Sequence, residues 1–294
     1  MDFYIVDVFA EDKYAGNQLA VVFGEGVKSL SDAEMQQIAQ EMNYSETSFI
    51  PSSQTEDGGY DVRIFTPQKE LPFAGHPTLG TAYIIQQEFI QKPVEQITLN
   101  LGVGQIPVTW TEDEDGDEIL WMRQNQAEFY QTLAVDLVAE TLGLEVSEID
   151  SKFPIQEVST GIPFIVVPVK NLAALKKAQV NLEPYSKLME MTHSTEILVF
   201  SPEPYSPENH ISARMFAPAL GIPEDPATGS ANGCLAGYLV QHSYFDQDEI
   251  EVKVEQGYEI NRPSILYLKS QKIADKIEVM VGGKVVKVAK GQLF

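Results

Sequence analysis

Two short segments carry the residue types of an anion-holding turn. Gly75-His76-Pro77-Thr78 and Gly229-Ser230-Ala231-Asn232 each open an apolar, small-residue run. The pattern predicts glycine in a tight turn, His76 or Ser230 as the helix N-cap, and Pro77 at the first helical position of the first copy. Helix N-termini expose unpaired N–H groups and carry about half a positive charge. Two of them facing a shared cleft would hold a carboxylate, or the enolate-like oxygen formed when a proton leaves beside one. Two ordinary capped helices would have the same sequence. Glu46, between Ser45 and Thr47, stands at a predicted helix-to-strand boundary. There it is either a general base at the mouth of a cleft or a solvated turn carboxylate. Asp225, in Pro223-Glu224-Asp225-Pro226, precedes the second loop as a second working carboxylate or as an Asx-turn residue before proline.

Other chemistries fit the chain poorly. His76, His193, His210 and His242 show no His-Glu-x-x-His or other close metal-ligand spacing, so no metal site is expected. Gly102-Val103-Gly104 lacks the third glycine and the following helix of a dinucleotide fingerprint, and Gln105–Trp110 reads as a strand. No Walker-type Gly-Lys-Ser/Thr occurs. The single cysteine, Cys234, excludes an intramolecular disulfide and a two-cysteine mechanism, and fits a reducing cytosol. It lies within the second small-residue run, where packing is the expected role.

The elements that must position these residues repeat along the chain. Val62-Arg63-Ile64-Phe65-Thr66-Pro67 returns about 150 residues later as Ala213-Arg214-Met215-Phe216-Ala217-Pro218. Ser45–Ile50 answers to Thr195–Phe200, Gly16–Val22 to Gly161–Val167, and the two glycine loops to each other, all in the same order. A duplicated domain follows, with expected halves 1–128 and 129–294 and no low-complexity linker between them. In the first half, Ser31 and Glu34 form a capping box ahead of the stripe Met35, Ile38, Ala39 and Met42. Pro184–Met191 predicts the matching helix in the second half. Strands are expected at Thr47–Ile50 and Tyr60–Phe65, and again at Ile197–Phe200 and Ile211–Phe216. Helices follow over Pro77–Gln87 and Ala231–Gln241. The acidic run Glu112–Glu118 reads as a hairpin tip, and Leu133–Leu142 as a helix stopped by Gly143.

Composition sets the outer limits. The chain has 294 residues and a formal charge of −23. Such a charge argues against nucleic acid or an anionic membrane as partner, since both need clustered Lys and Arg. It leaves room for a small anion held by backbone N–H groups. The N-terminus lacks a basic segment followed by an apolar run, so no signal peptide is expected, and Pro226–Phe245 is too rich in glycine and polar residues to read as a membrane span.

Taken together, these blocks resemble the PhzF-like isomerases of phenazine biosynthesis, which share the diaminopimelate epimerase fold. The match rests on Val6-Asp7-Val8-Phe9 through Gly16-Asn17, Ser45-Glu46-Thr47, Phe65-Thr66-Pro67, Pro72–Thr78, Gly161-Ile162-Pro163 and Asp225–Ala231. The resemblance implies an α+β fold of two pseudo-symmetric domains, each a mixed β-sheet barrel wrapped around a central helix, with the ligand between them. The small-residue helices would be the central ones. By the same resemblance Glu46 transfers the proton, His76 and Asp225 complete the catalytic set, and Asn17, Gly75, Gly229 and Ser230 bind the substrate. No cofactor is implied, and a cytoplasmic homodimer is expected. Diaminopimelate epimerase has a cysteine immediately before each glycine loop; Ala74 and Thr228 stand there in this chain, which excludes a two-thiol racemase. Two readings stay open: an isomerase acting on a small carboxylic acid, and a non-catalytic binder of small anions on the same fold. The intact Glu46, His76 and Asp225 set favours the first, because a binder needs the loops and not the base.

Overall fold

The structure is a computed structural model that describes residues 1–55, 57–113 and 115–294. Its elements run β1 (Asp2–Val8), β2 (Asn17–Phe23), α1 (Asp32–Met42), β3 (Glu46–Phe49), β4 (Tyr60–Asp61), β5 (Arg63–Phe65), β6 (Glu70–Leu71) and α2 (Gly75–Ile85). There follow β7 (Gln96–Leu101), β8 (Gly104–Glu112), β9 (Glu118–Arg123), β10 (Glu128–Thr132), α3 (Val135–Thr141), β11 (Gln156–Ser159) and β12 (Pro163–Pro168). The chain continues with α4 (Leu172–Lys177), α5 (Leu182–Met189), β13 (Ile197–Ser201), β14 (Ile211–Ala217), β15 (Ile222–Asp225) and α6 (Gly229–Gln241). It ends in β16 (Glu249–Gln256), β17 (Ser264–Ile273), β18 (Lys276–Gly283) and β19 (Val285–Gln292). The fold is α+β with mixed sheets. Among the described residues, no helix is long and apolar enough to cross a membrane.

The chain divides into two compact units, Met1–Met122 with Gly282–Phe294, and Arg123–Val281. The expected halves 1–128 and 129–294 differ from these at both ends. The physical reason lies in strand pairing: β19 runs antiparallel to β1 from Asp2↔Gln292 to Val8↔Val285, so the last residues complete the first unit's sheet. No local pattern in a C-terminal strand says which sheet it will join.

In the first unit one sheet has the order β19-β1-β2-β3-β5-β6, and β4, β7, β8 and β9 form a second run. Helix α2 packs against β1, β2, β3 and β19 of the one and β7 and β8 of the other. A helix surrounded in this way must be apolar on every side. Accordingly Leu79, Ala82, Ile84 and Ile85 are all buried. Gly80 permits the close approach, because a Cβ there would lie 2.6 Å from Leu19 Cδ2. The outer face of the sheet is covered by α1, whose Met35 and Ala39 meet Val22, Phe49 and Phe65. The predicted Ser31–Glu34 capping box starts that helix.

The second unit repeats the plan. Strands β10-β11-β12-β13-β14-β16-β17-β18 form one sheet, with β15 beside β14, and α6 packs against β11, β12, β13, β16 and β17. Its outer face carries α3, α4 and α5 over Ile165, Val167, Ile197 and Val199. The repeat holds at the level of pairing. Parallel β2 and β3 correspond to parallel β12 and β13, and antiparallel β3 and β5 to β13 and β14. Strand β14 does alone what β4 and β5 do together. Its start runs parallel to β16, as β4 does to β7, and the rest pairs with β13. The acidic run after β8 is a hairpin, with Glu112 opposite Glu118; Glu114 of that run lies outside the described residues.

Candidate active site

In the first unit, three elements converge on one pair of side chains. Gly16 sits at φ +63°, and a Cβ there would lie 2.3 Å from the Val8 carbonyl, so only glycine makes this entry into β2. The turn delivers Asn17 as the buried first residue of β2, opposite Val8. Glu46 opens β3, which runs parallel to β2 with Glu46 in register with Leu19. His76 lies in the first turn of α2 and is buried. Its Nε2 is 3.3 Å from Glu46 Oε2, and a ring N–H donates to the backbone carbonyl of Gln18. Burial pushes the His76 imidazole down to about 3, against which the Gln18 carbonyl pulls only weakly. The ring is therefore neutral across the physiological range, and its contact with Glu46 is not an ion pair.

In the second unit the centre is Asp225. It ends β15 opposite Met215 of β14, and Pro226, which lacks an N–H, terminates the strand. The buried Asp225 carboxylate accepts the Thr228 hydroxyl at Oδ2. Behind them stands Gln256, the last residue of β16. Its Nε2 donates to the Asp225 carbonyl (2.9 Å) and approaches Thr228 Oγ1 (3.3 Å). Its Oε1 accepts from Asn232 Nδ2 (2.8 Å) and the Thr228 N–H (3.3 Å). Gly229 is the buried first residue of α6, followed by the half-buried Ser230.

The predicted caps need correction. Gly75 and Gly229 are the first helical residues, and the N-cap positions belong to Ala74 and Thr228. His76 and Ser230 are thus the second residues of their helices, two positions past the caps. Neither N-cap makes a side-chain cap: Ala74 has no donor or acceptor to offer, and Thr228 gives its hydroxyl to Asp225. The first N–H groups of α2 and α6 are left to a ligand or to water by helix geometry itself.

The structure thus brings Glu46 and His76 into contact in the first unit, with Asn17 one residue from the Gln18 carbonyl and Gly75 one residue from His76. Asp225, Gly229 and Ser230 lie together in the second. Glu196, the repeat counterpart of Glu46, folds back on its own loop, accepting from the Thr195 N–H at 3.2 Å. Cys234 is buried beside Thr160, and burial pushes its thiol up to about 12, which suits packing rather than nucleophilic chemistry. Among the described residues no three His, Cys, Asp or Glu side chains gather as metal ligands. A groove of 580 Å³ in the first unit, beside Asp61, Arg63 and Asn100, holds none of the predicted residues. Its Arg63 is already forked onto Glu70.

Residue-type reasoning missed Gln256. Nothing local marks it; its reach depends on the parallel register of β14 and β16, in which Ala213 faces Gln256.

With this geometry in hand, similarity to known proteins is informative. A family model described as phenazine biosynthesis-like protein matches residues 6–291. An uncharacterized isomerase of Clostridium acetobutylicum is 35% identical over 99% of this chain and 97% of its own. The trans-2,3-dihydro-3-hydroxyanthranilate isomerase of Pseudomonas aeruginosa is 32% identical, covering 99% of each chain. The crystal structure of the PhzF-family phenazine biosynthesis protein of Bacillus anthracis superposes with a TM-score of 0.91. It is 28% identical, over 100% of this chain and 99% of that one.

Proposed function

This chain belongs to the phenazine biosynthesis-like protein family and is an isomerase, and from that premise we propose a cofactor-independent proton shift on a small carboxylic acid, with Glu46 as the group that moves the proton. The observation that carries the reading is the contact of Glu46 Oε2 with a neutral, buried imidazole at 3.3 Å. A neutral ring whose one N–H goes to the Gln18 carbonyl presents Nε2 to Glu46 as an acceptor, ready to receive a hydrogen bond when Glu46 holds the proton, and sets no positive charge beside it. An imidazolium in its place would stabilise the carboxylate and weaken it as a base.

Glu46 takes a proton from one carbon and delivers it to another. Electrons of the breaking C–H bond enter the conjugated system, and a double bond shifts as the new C–H bond forms. Negative charge that develops on the substrate during transfer is met by helix N–H groups, those that open α2 at Gly75 in the first unit; Gly229 and Ser230 open α6 in the same way in the second. Asp225 accepts from the substrate's amine or hydroxyl, and Asn17 offers an amide beside the Gln18–His76 hydrogen bond. The substrate class follows the Pseudomonas aeruginosa relative: a small, ring-shaped, unsaturated acid bearing amine and hydroxyl groups.

The test is solvent exchange. The protein is incubated in deuterated water with a panel of small cyclic and amino-substituted acids that includes trans-2,3-dihydro-3-hydroxyanthranilate. Carbon-bound deuterium is followed by mass spectrometry. Exchange on a panel member that is lost in Glu46→Gln is the expected result. Full activity in Glu46→Gln overturns the role of Glu46. Binding without exchange favours a protein that only holds small anions.

A further inference from the structure

The hydrogen bonds around Asp225 run in one direction. Gln256 Nε2 faces Thr228 Oγ1 at 3.3 Å, and the Thr228 hydroxyl faces Asp225 Oδ2. An amide nitrogen can only donate and a carboxylate can only accept. Thr228 Oγ1 therefore receives from Gln256, and its single proton is committed to Asp225. The other end of the same amide is fixed as well, because Gln256 Oε1 accepts from Asn232 Nδ2 and from the Thr228 N–H. Gln256 is 1% exposed, so water does not compete for these bonds.

The duplicated first unit shows that the fold does not require this chain of bonds. Leu71 faces Ile64 as Asp225 faces Met215. Asn100 faces Asp61 as Glu255 faces Ser212, which makes Leu101 the counterpart of Gln256. Ala74 precedes Gly75 as Thr228 precedes Gly229. Three apolar residues thus occupy the positions of Asp225, Thr228 and Gln256, yet the strands pair alike and α2 begins at the equivalent glycine. What both copies keep is the bond closing the first helical turn: Thr78 Oγ1 to the Ala74 carbonyl (2.7 Å) and Asn232 Nδ2 to the Thr228 carbonyl (3.0 Å). Burying three polar side chains where apolar ones suffice is costly unless they serve something beyond folding.

We propose that Gln256 is a positioning residue that, through the Thr228 hydroxyl, fixes Asp225 in the orientation that meets the substrate. This rests on the role assigned to Asp225 above. The consequence is specific: toward the Asp225 carboxylate, which the direct Gln256 bond to the Asp225 backbone carbonyl does not reach, Gln256 and Thr228 act in series, so removing both is no worse than removing one. A residue that merely supports the fold would add its loss to that of the other.

The experiment is a double-mutant cycle on deuterium exchange with the full-length protein. Gln256→Glu keeps the shape but lacks the N–H; its carboxylate accepts the Thr228 proton and turns it away from Asp225. Thr228→Val removes the hydroxyl. Each is expected to slow exchange about tenfold, and the double variant no further. Thr228→Ser, which restores a hydroxyl, recovers most of what Thr228→Val loses. Gln256→Met removes the N–H without adding charge or drawing the Thr228 proton away, so its loss should be no larger than that of Gln256→Glu. Losses that multiply in the double variant, or a wild-type rate in Gln256→Glu, overturn the proposal. A readout independent of turnover is the NMR shift of the Thr228 hydroxyl proton. It should respond to Asp225→Asn in the wild-type background and not in Gln256→Glu; a response that survives there also overturns the relay. Exchange undiminished in Asp225→Asn overturns the role of Asp225 itself. Impaired Asp225→Asn with multiplying losses overturns only the relay.

Discussion

Acidification should unfold this protein partly through His76. The imidazole ordinarily titrates at 6.5 and is pushed down to about 3 by burial in the folded chain. Between these values the unfolded chain binds a proton that the native one refuses, so stability falls as pH falls. The contribution is small at pH 7, grows by about 1.4 kcal/mol per unit below 6.5, and is complete near pH 3. Between pH 7 and pH 5 it amounts to about 2 kcal/mol. The assay is urea unfolding at both pH values for wild type and for His76→Gln, which removes the titration. Other groups titrate in both proteins, so the difference of differences isolates the ring. Wild type should lose about 2 kcal/mol more than the variant on going to pH 5. Equal losses would refute the reasoning, as would an NMR titration of His76 with a midpoint near its ordinary value. Either would mean that the ring takes up a proton on mild acidification, and that its contact with Glu46 becomes an ion pair there.

Three further outcomes follow from packing and burial. Gly80→Ala places a Cβ 2.6 Å from Leu19 Cδ2 and 2.9 Å from Val8 Cγ2; it should cost about 1–3 kcal/mol, read as a lowered thermal midpoint. Arg214 forks onto Glu224 at 2.9 and 2.7 Å and also donates to the Leu175 and Ala178 carbonyls. Arg214→Met should cost about 3 kcal/mol by leaving the largely buried Glu224 carboxylate unpaired, and adding Glu224→Met should recover part of it in denaturant unfolding. Cys234, its thiol pushed up to about 12 by burial, should resist alkylation at pH 8 in the native protein. It should react at once in denaturant, as followed by mass spectrometry.

Local chemistry carried much of this molecule. The Ser31–Glu34 capping box, the stripe of α1 and the all-round apolar runs of α2 and α6 follow from side-chain spacing. Each is settled by residues within a few positions of one another. The repeat was legible too, since duplication leaves matching segments in matching order, and with it came the two glycine loops; Glu46, His76 and Asp225 stood out as candidates whose roles only the family resemblance implied. Even there, local reading slipped by two positions. Ala74 and Thr228, not His76 and Ser230, are the N-caps, because the helices begin at glycine and Thr228 spends its hydroxyl on Asp225.

What tertiary structure decided is non-local. Nothing in Val285–Gln292 says that it will pair with the first strand of the chain, and so divide the units elsewhere than at mid-sequence. The neutrality of His76 comes from burial, and its contact with Glu46 from the parallel register of β2 and β3, two strands joined through α1. Gln256 reaches Asp225 only because β14 and β16, far apart in sequence, run side by side in one register. Spacing along a chain determines which face of a helix or strand a residue occupies. Which faces meet is chosen by strand pairing over long loops, and with that choice come burial, hydrogen-bond direction and the protonation state on which the chemistry depends.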